Sequence, residues 1–274
     1  MEWNKFIESL DVKIDTDKDK LKDTLIDSIK NSLPENFGVL FSGGIDSTFI
    51  AQVCKQLGEN FTCYCVGLEN SEDIIEAEKV SKALNLKLKK KVYSLDEANQ
   101  IIKETVKILN DTDVMKVGVG STLLGAIKIA NEKYLFSGLG SEEIFAGYQR
   151  HEQAKDINEE CWNGLRNMYE RDISRDEKIA NASNVKILTP FLNKDVIIHA
   201  MNIPGKEKIK NNVNKSILRE IALDIGIPKD IALRKKRAAQ YGSKFDRAIL
   251  RLARRNGFKY KKDYLESVKN HLSI

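Results

Sequence analysis

Residues 38–51 read GVLFSGGIDSTFIA. A run of small and apolar residues meets Ser42-Gly43-Gly44-Ile45-Asp46-Ser47, and a second apolar run follows. The first run predicts a strand over 35–41, and the second a helix that begins near Ser47. Paired glycines let the backbone turn tightly and bring its N–H groups close to a ligand. In an open α/β sheet the ligand crevice lies at the carboxyl ends of the strands, where such a turn sits. The helix behind the turn offers unpaired N–H donors and a partial positive charge, which favour a phosphate. Ser42 and Ser47 add hydroxyl donors. No lysine follows the second glycine, so this is not a Walker A loop. Asp46 constrains the reading further. A carboxylate repels a phosphate unless a divalent cation lies between them, so Asp46 implies Mg2+ bound by one or two carboxylates plus phosphate oxygens. The plainer alternative is a tight turn with Asp46 as a helix cap.

Strand and helix alternate on both sides of this stretch. Leu21, Leu25, Ile29 and Leu33, with Ile26 beside them, mark an amphipathic helix that Pro34 ends. FTCYCVGL (61–68), LKLKKKVYSL (86–95, half exposed) and KYLFSGLG (133–140) read as strands. STFIAQVCKQLG, SEDIIEAEKVSKALN, LDEANQIIKETVKIL and STLLGAIKIANE read as the helices between and before them. The expected fold is therefore a doubly wound parallel sheet with helices on both faces. After about residue 145 the strand pattern stops, and DVIIHAMNIP, NKSILREIALDIG and SKFDRAILRLARR read as helices packed against the sheet. The expected organisation is one domain over 1–274. It has a helical lead-in (1–34), a nucleotide-binding α/β part (35–150) and a mainly helical part (151–274).

Composition excludes some classes. With 42% hydrophobic and 31% charged residues the chain is too apolar to stay disordered. No stretch reaches the roughly 18 apolar residues of a membrane span, and residues 1–20 show no signal-peptide core, so no membrane role and a cytoplasmic address are expected. Cys54, Cys63, Cys65 and Cys161 are too few for a disulfide framework in 274 residues. Cys63 and Cys65 point to one face of a strand and read as small buried hydrophobes, since no neighbouring His completes a metal site. His151, His199 and His271 are scattered. The net charge of +5 is concentrated. From Arg234 to Lys262 there are twelve Lys or Arg residues and one acid, Asp246, a segment that calls for an anion.

A second stretch repeats the architecture of the first. In YLFSGLGSEEIFAGYQRH (134–151) a strand meets Ser137-Gly138, then Gly140-Ser141, then Glu142 and Glu143 at a helix start. Alone these are ordinary first-turn acids; paired with the first loop, they close on one nucleotide and its metal from the opposite side. A third element is LRKKRAAQYGSK (233–244). A lysine there can reach the phosphates and neutralise the charge of a leaving pyrophosphate, or the run is a solvated basic loop.

These residues carry a family resemblance. SGGIDS resembles the pyrophosphatase loop of the adenine-nucleotide α-hydrolase-like superfamily. The ordered set GVLFSGGIDS, FTCYCVGL, SGLGSEEIFAGY, PFLNKD and KSILRE…IP…LRKK is similar to the synthetase domain of the asparagine synthetase family, from about residue 18 to about 250. The resemblance implies a ligase that uses ATP and Mg2+ to convert a carboxylate to an acyl-adenylate, releasing pyrophosphate. A nitrogen nucleophile then displaces AMP. By position it implies that Phe41, Val66, Ser137 and Gly138 contact the nucleotide. Ser42, Gly43, Gly44 and Ser47 hold the pyrophosphate, Asp46 and Glu142 hold magnesium, and Lys236 stabilises the adenylation transition state.

The departures lie on the acceptor side. Leu139 stands where the family has a glutamate associated with deprotonating ammonia, and a leucine is no general base. ILTPFLN lacks the arginine expected two residues before Pro190 and ends in Asn193 rather than Asp. Gly118 stands about where an arginine lies near the amino-acid substrate. Glu142 replaces the usual Asp. The chain opens Met1-Glu2-Trp3 without a glutaminase domain, so ammonia is expected to come free or from a separate amidotransferase chain. Two further readings stay open. One is adenylation of a tRNA base, supported by Lys244, Arg247, Arg251, Arg254 and Arg255 on one stripe of a helix whose other face is Phe245, Ala248, Ile249 and Leu252. The other is a nucleotide sensor without catalysis.

Overall fold

Strand β1 (Gly38–Leu40) forms from the apolar run before the glycines, and it lies at the centre of the sheet. The computed structural model describes residues 2–234 and 239–272. β2 (Thr62–Leu68) pairs with β1 on one side and β4 (Tyr134–Phe136) on the other. β3 (Leu88–Tyr93) lies outside β2, and β5 (Lys186–Leu188) outside β4. The order is β3-β2-β1-β4-β5 and every pair is parallel. The winding reverses between β1 and β4, which places a ligand crevice where their carboxyl ends part.

Strand β2 shows why both faces must be covered. Cys63 and Cys65 join one core with the helices Lys18–Asn31, Ile45–Gln56, Glu72–Ala83, Lys194–Asn202 and Ser216–Asp224. Tyr64, Val66 and Leu68 point the other way, to the helices Leu95–Leu109, Val114–Ile129, Phe245–Arg255 and Lys261–Leu272. The doubly wound fold read from the sequence is the one present. The four cysteines are buried and form no disulfide among the described residues, and burial pushes the Cys54 thiol up to about 12. At the edge, β3 exposes Lys89 and Lys90 to solvent, a charge pattern that discourages further strand pairing. Among the described residues no helix is long and apolar enough to cross a membrane.

Three expectations need correction. β1 is shorter than 35–41, and its helix starts at Ile45, so Asp46 and Ser47 lie in the first turn and Gly44 is the cap. The helix expected from 121 begins at Val114, because the Asp113 carboxylate accepts the Lys116 N–H at 2.8 Å and caps it there. Strands do not stop near residue 145. β5 completes the sheet, and a short hairpin (Ile209–Lys210 with Val213–Asn214) follows. A boundary at 150 therefore cuts through the sheet's own strand set.

Phe136 and Tyr134 sit on one strand with different fates. Phe136 is fully buried, its ring edge-on to Phe37 at 5.3 Å, while Tyr134 is exposed. Phe136→Ala is expected to cost about 3–5 kcal/mol in urea unfolding. Tyr134→Ala is expected to cost about 0.5 kcal/mol. Equal losses would mean that the strand is not seated as described.

Candidate active site

Two glycine-rich turns, after β1 and after β4, meet face to face at the crevice. In the first, Gly43 has φ +65°, and a Cβ there would lie 2.8 Å from the backbone of Glu76, so only glycine fits. The Ser47 hydroxyl donates to the Gly44 carbonyl at 3.2 Å and accepts the Ser42 N–H at 3.4 Å. Arg234 donates to the Gly43 carbonyl at 3.0 Å and pairs with Glu76 at 3.3 Å, which pins the turn from behind. The helix Ile45–Gln56 has no side-chain cap, so its first-turn N–H groups are left for an anion.

In the second turn the Ser137 N–H donates to the Leu188 carbonyl of β5 at 2.8 Å. Gly138 comes so near that a Cβ would lie 2.7 Å from Asp46 Cβ. Gly140 (φ +95°) then swings the chain into the short helix Ser141–Ile144. The Ser141 hydroxyl donates to the Asp46 carboxylate.

A residue that the sequence reading did not assign joins the two turns. Lys215 Nζ lies 2.7 Å from Asp46 Oδ1, 2.9 Å from Glu142 Oε1 and 3.0 Å from Ser141 Oγ. It is buried, and burial alone would depress its pKa, but the two carboxylates outweigh that and hold the ammonium above the ordinary lysine value. Lys215 precedes the helix Ser216–Asp224 with φ +58°, left-handed backbone that a non-glycine residue rarely adopts. Gly147 leaves room for the pair: a Cβ there would lie 1.6 Å from Glu142 Oε2 and 2.4 Å from Lys215 Cε.

Around this ion triad opens a cavity of about 440 Å3. Of the residues expected at the site, Phe41, Ser42, Asp46, Ser47, Val66, Ser137, Gly138 and Glu142 line it. Gly43 and Gly44 form the backbone of the turn behind Ser42. Lys236 lies outside the described residues. Asp46 and Glu142 fit a hard cation, since both present carboxylate oxygens to a single ammonium. Among the described residues no cluster of three or more His, Cys, Asp or Glu ligands forms. A cation held by this pair would need its remaining ligands from outside the protein.

On the far wall of the cavity, the sequence reading singled out Leu139 alone. Met115, Val119, Leu123 and Leu139 make it apolar, and Arg171, Asp172, Arg175 and Asp176 give it charge. These four come from a π-helical turn, Tyr169–Ile173, and the helix Ser174–Ala182 that continues it. π-turns often mark functional sites. Arg175 bonds Asp172 at 2.9 Å and Asp176 at 2.7 Å, and Arg171 pairs with Asp172 at 2.5 Å and with buried Glu143. The Tyr148 hydroxyl donates to Glu143 at 3.1 Å. Burial pushes the Glu143 carboxyl up to about 7, against the pull of Arg171. The departures from the family pattern have local roles. Asn193 caps the helix Lys194–Asn202 by accepting the Asp195 N–H at 2.9 Å. Gly118 lies under Gln240, whose Cβ would be 3.1 Å from a Cβ at 118.

Comparison with known proteins places the chain in context. The asparagine synthase family description matches residues 20–157 and 149–262. A putative glutamine-hydrolyzing asparagine synthetase of Methanocaldococcus jannaschii is 32% identical over 303 aligned residues, covering 93% of this chain and 56% of that one. Asparagine synthetase B of Escherichia coli is 29% identical, covering 81% of this chain and 44% of its own. The human asparagine synthetase is 29% identical, at 84% and 44%. The chain thus spans about half the length of the curated relatives it matches. Among solved structures, an NMN synthetase from Francisella tularensis aligns at a TM-score of 0.43 with 15% identity, over 93% of this chain and 92% of that one.

Two outcomes are expected from this geometry. Lys215→Met removes the ammonium that bridges buried Asp46 and one-third-exposed Glu142, and should cost about 3 kcal/mol in chemical unfolding. Adding Asp46→Asn to it should restore part of that loss; no restoration would separate Lys215 from Asp46. The second concerns His151, a buried imidazole whose Nδ1 accepts the Tyr148 N–H at 3.0 Å. Burial lowers its pKa from 6.5 to about 4. The unfolded chain therefore takes up a proton that the native state refuses, and stability falls as pH drops from 6.5 toward 4, by about 3 kcal/mol. His151→Gln should flatten melting temperature against pH across that window. An unchanged slope would remove His151 as its cause.

Proposed function

Because the chain belongs to the asparagine synthase family, we propose that it is an ATP-dependent, AMP-forming ligase that activates a carboxylate and transfers nitrogen to it. The observation that carries this reading is the meeting of Asp46 and Glu142, which both line the cavity and come from two separate strand ends, at the Lys215 ammonium. The uncapped helix at Ile45 and the hydroxyls of Ser42 and Ser47 suit the β- and γ-phosphates of ATP. Phe41, Val66, Ser137 and Gly138 line the part of the cavity assigned to the nucleoside. Mg2+, if held by Asp46 and Glu142, would neutralise the triphosphate and the pyrophosphate that leaves. Lys215, positioned by its helix, supplies a fixed positive charge next to that pair. Lys236 completes the set by resemblance.

In the reaction the acceptor carboxylate oxygen attacks the α-phosphorus, the bond to the β-phosphate bridging oxygen breaks, and pyrophosphate departs. Ammonia then forms the C–N bond as AMP leaves with the electron pair of the acyl–oxygen bond, and the nitrogen loses a proton. The incoming ammonia is free or delivered by a separate amidotransferase chain. Aspartate is one candidate acceptor. The apolar Leu139 and the Arg171–Asp176 wall also suit a different small carboxylate. A tRNA base is the second reading, favoured by the cations Lys244, Arg247 and Arg251 along a surface groove.

The test is carboxylate-dependent exchange of labelled pyrophosphate into ATP, screened over amino acids, small carboxylates and total tRNA. AMP and pyrophosphate are the expected products, and Asp46→Ala should abolish them while the circular dichroism spectrum stays native. Cleavage to ADP, or no cleavage with any acceptor, would overturn the proposal. Full activity in the folded Asp46→Ala protein would remove that residue from the site.

A further inference from the structure

Next to the cavity, behind the turn Gln240–Lys244, lies a second hollow of about 490 Å3. Its walls include Glu69, Asn70, Ser94, Lys244, Arg247 and Arg251. The helix Phe245–Arg255 builds one side because its Phe245, Ala248, Ile249 and Leu252 are fully buried, which forces Arg247 and Arg251 outward into solvent. Neither guanidinium makes an ion pair or side-chain hydrogen bond among the described residues. Arg255, further along, is already paired with Asp96 at 2.7 Å. Lys244 is held in place, its ammonium donating to the Glu69 carbonyl at 3.1 Å. By the rise of a helix, Lys244 to Arg251 spans about 10 Å. Three cations over that distance match more than one phosphate of a nucleic-acid backbone.

We propose that this groove binds the phosphodiester backbone of a single-stranded RNA. Two features select this occupant. Tyr241, 53% exposed and one turn before Lys244, offers a ring face on which an unpaired base can stack. Glu69 places an exposed carboxylate among the cations. It disfavours phosphate at that one point and accepts a hydrogen bond from a ribose 2′-hydroxyl, a group that DNA lacks. The groove and the cavity share β2: Val66 lines the cavity, and Leu68, two residues on, lines the groove, its N–H donating to the Ser243 carbonyl at 2.9 Å. This proposal goes beyond the ligase reading and stands or falls without it.

Fluorescence anisotropy of a labelled single-stranded RNA of about 12 nucleotides, without ATP, tests it against DNA of the same sequence and a polyglutamate peptide. The expected logarithmic salt slope is about −2, from three cations at ~0.7 each. The R247A/R251A double variant should shrink the slope by about 1.4 and weaken binding roughly 10-fold at low salt. Glu69→Ala should narrow the preference for RNA over DNA. The proposal fails if RNA does not bind at about 50 mM salt, if the folded double variant keeps the wild-type slope, or if DNA or polyglutamate binds as tightly as RNA. Pyrophosphate exchange with small carboxylates, run on the same double variant, is expected to match wild type, which separates this outcome from a failure of the ligase reading.

Discussion

Burying Lys215 with Asp46, beside the half-buried Glu142, takes two charges out of water together, and each of those two loses several kcal/mol of hydration. The loss is offset only because both carboxylates reach one ammonium within 2.9 Å, with the Ser141 hydroxyl filling a further position. Such a cluster adds little net stability. What it fixes is position. Asp46 belongs to the turn after β1, Glu142 to the turn after β4, and Lys215 to a helix far along the chain. Remove the lysine, and like charges push apart the two turns that shape the cavity.

The sheet makes this meeting possible. β1 and β4 are hydrogen-bonded neighbours although more than ninety residues separate them, so their carboxyl ends open side by side. Gly138 then lets the second turn approach the Cβ of Asp46, and Gly147 leaves space for the Glu142–Lys215 pair. Apolar cores on both faces hold the strands in this order. The acceptor wall is built differently. Its charges come from a π-turn and are tied to one another in an Arg–Asp ladder, so its shape depends on paired side chains rather than on the sheet.

Much of this was legible in the chain itself. SGGIDS and SGLGSEE announced both turns because tight backbone, hydroxyls and acids leave few other readings, and strict alternation in FTCYCVGL announced the sheet. Lys215 escaped because nothing near it in sequence marks a partner. It opens the quoted motif KSILRE without a stated role, and the asparagine-rich NNVN before it, where Asn211 and Asn212 also take left-handed backbone, marks only the turn. β5 escaped for a different reason: three residues, KIL, are too few to show a period, and only pairing with β4 makes them a strand. The π-turn YERDI reads as ordinary helix, since its widened backbone bonding has no compositional signature.

The order of residues along the chain also sets an order in time. A polypeptide leaving the ribosome carries β1, β4 and both acids long before it carries residue 215, and β5, which anchors the second turn through Leu188, also comes late. Until then the two acidic turns repel and their crevice has no floor. The charge that joins the two turns is therefore the last of the three to be made.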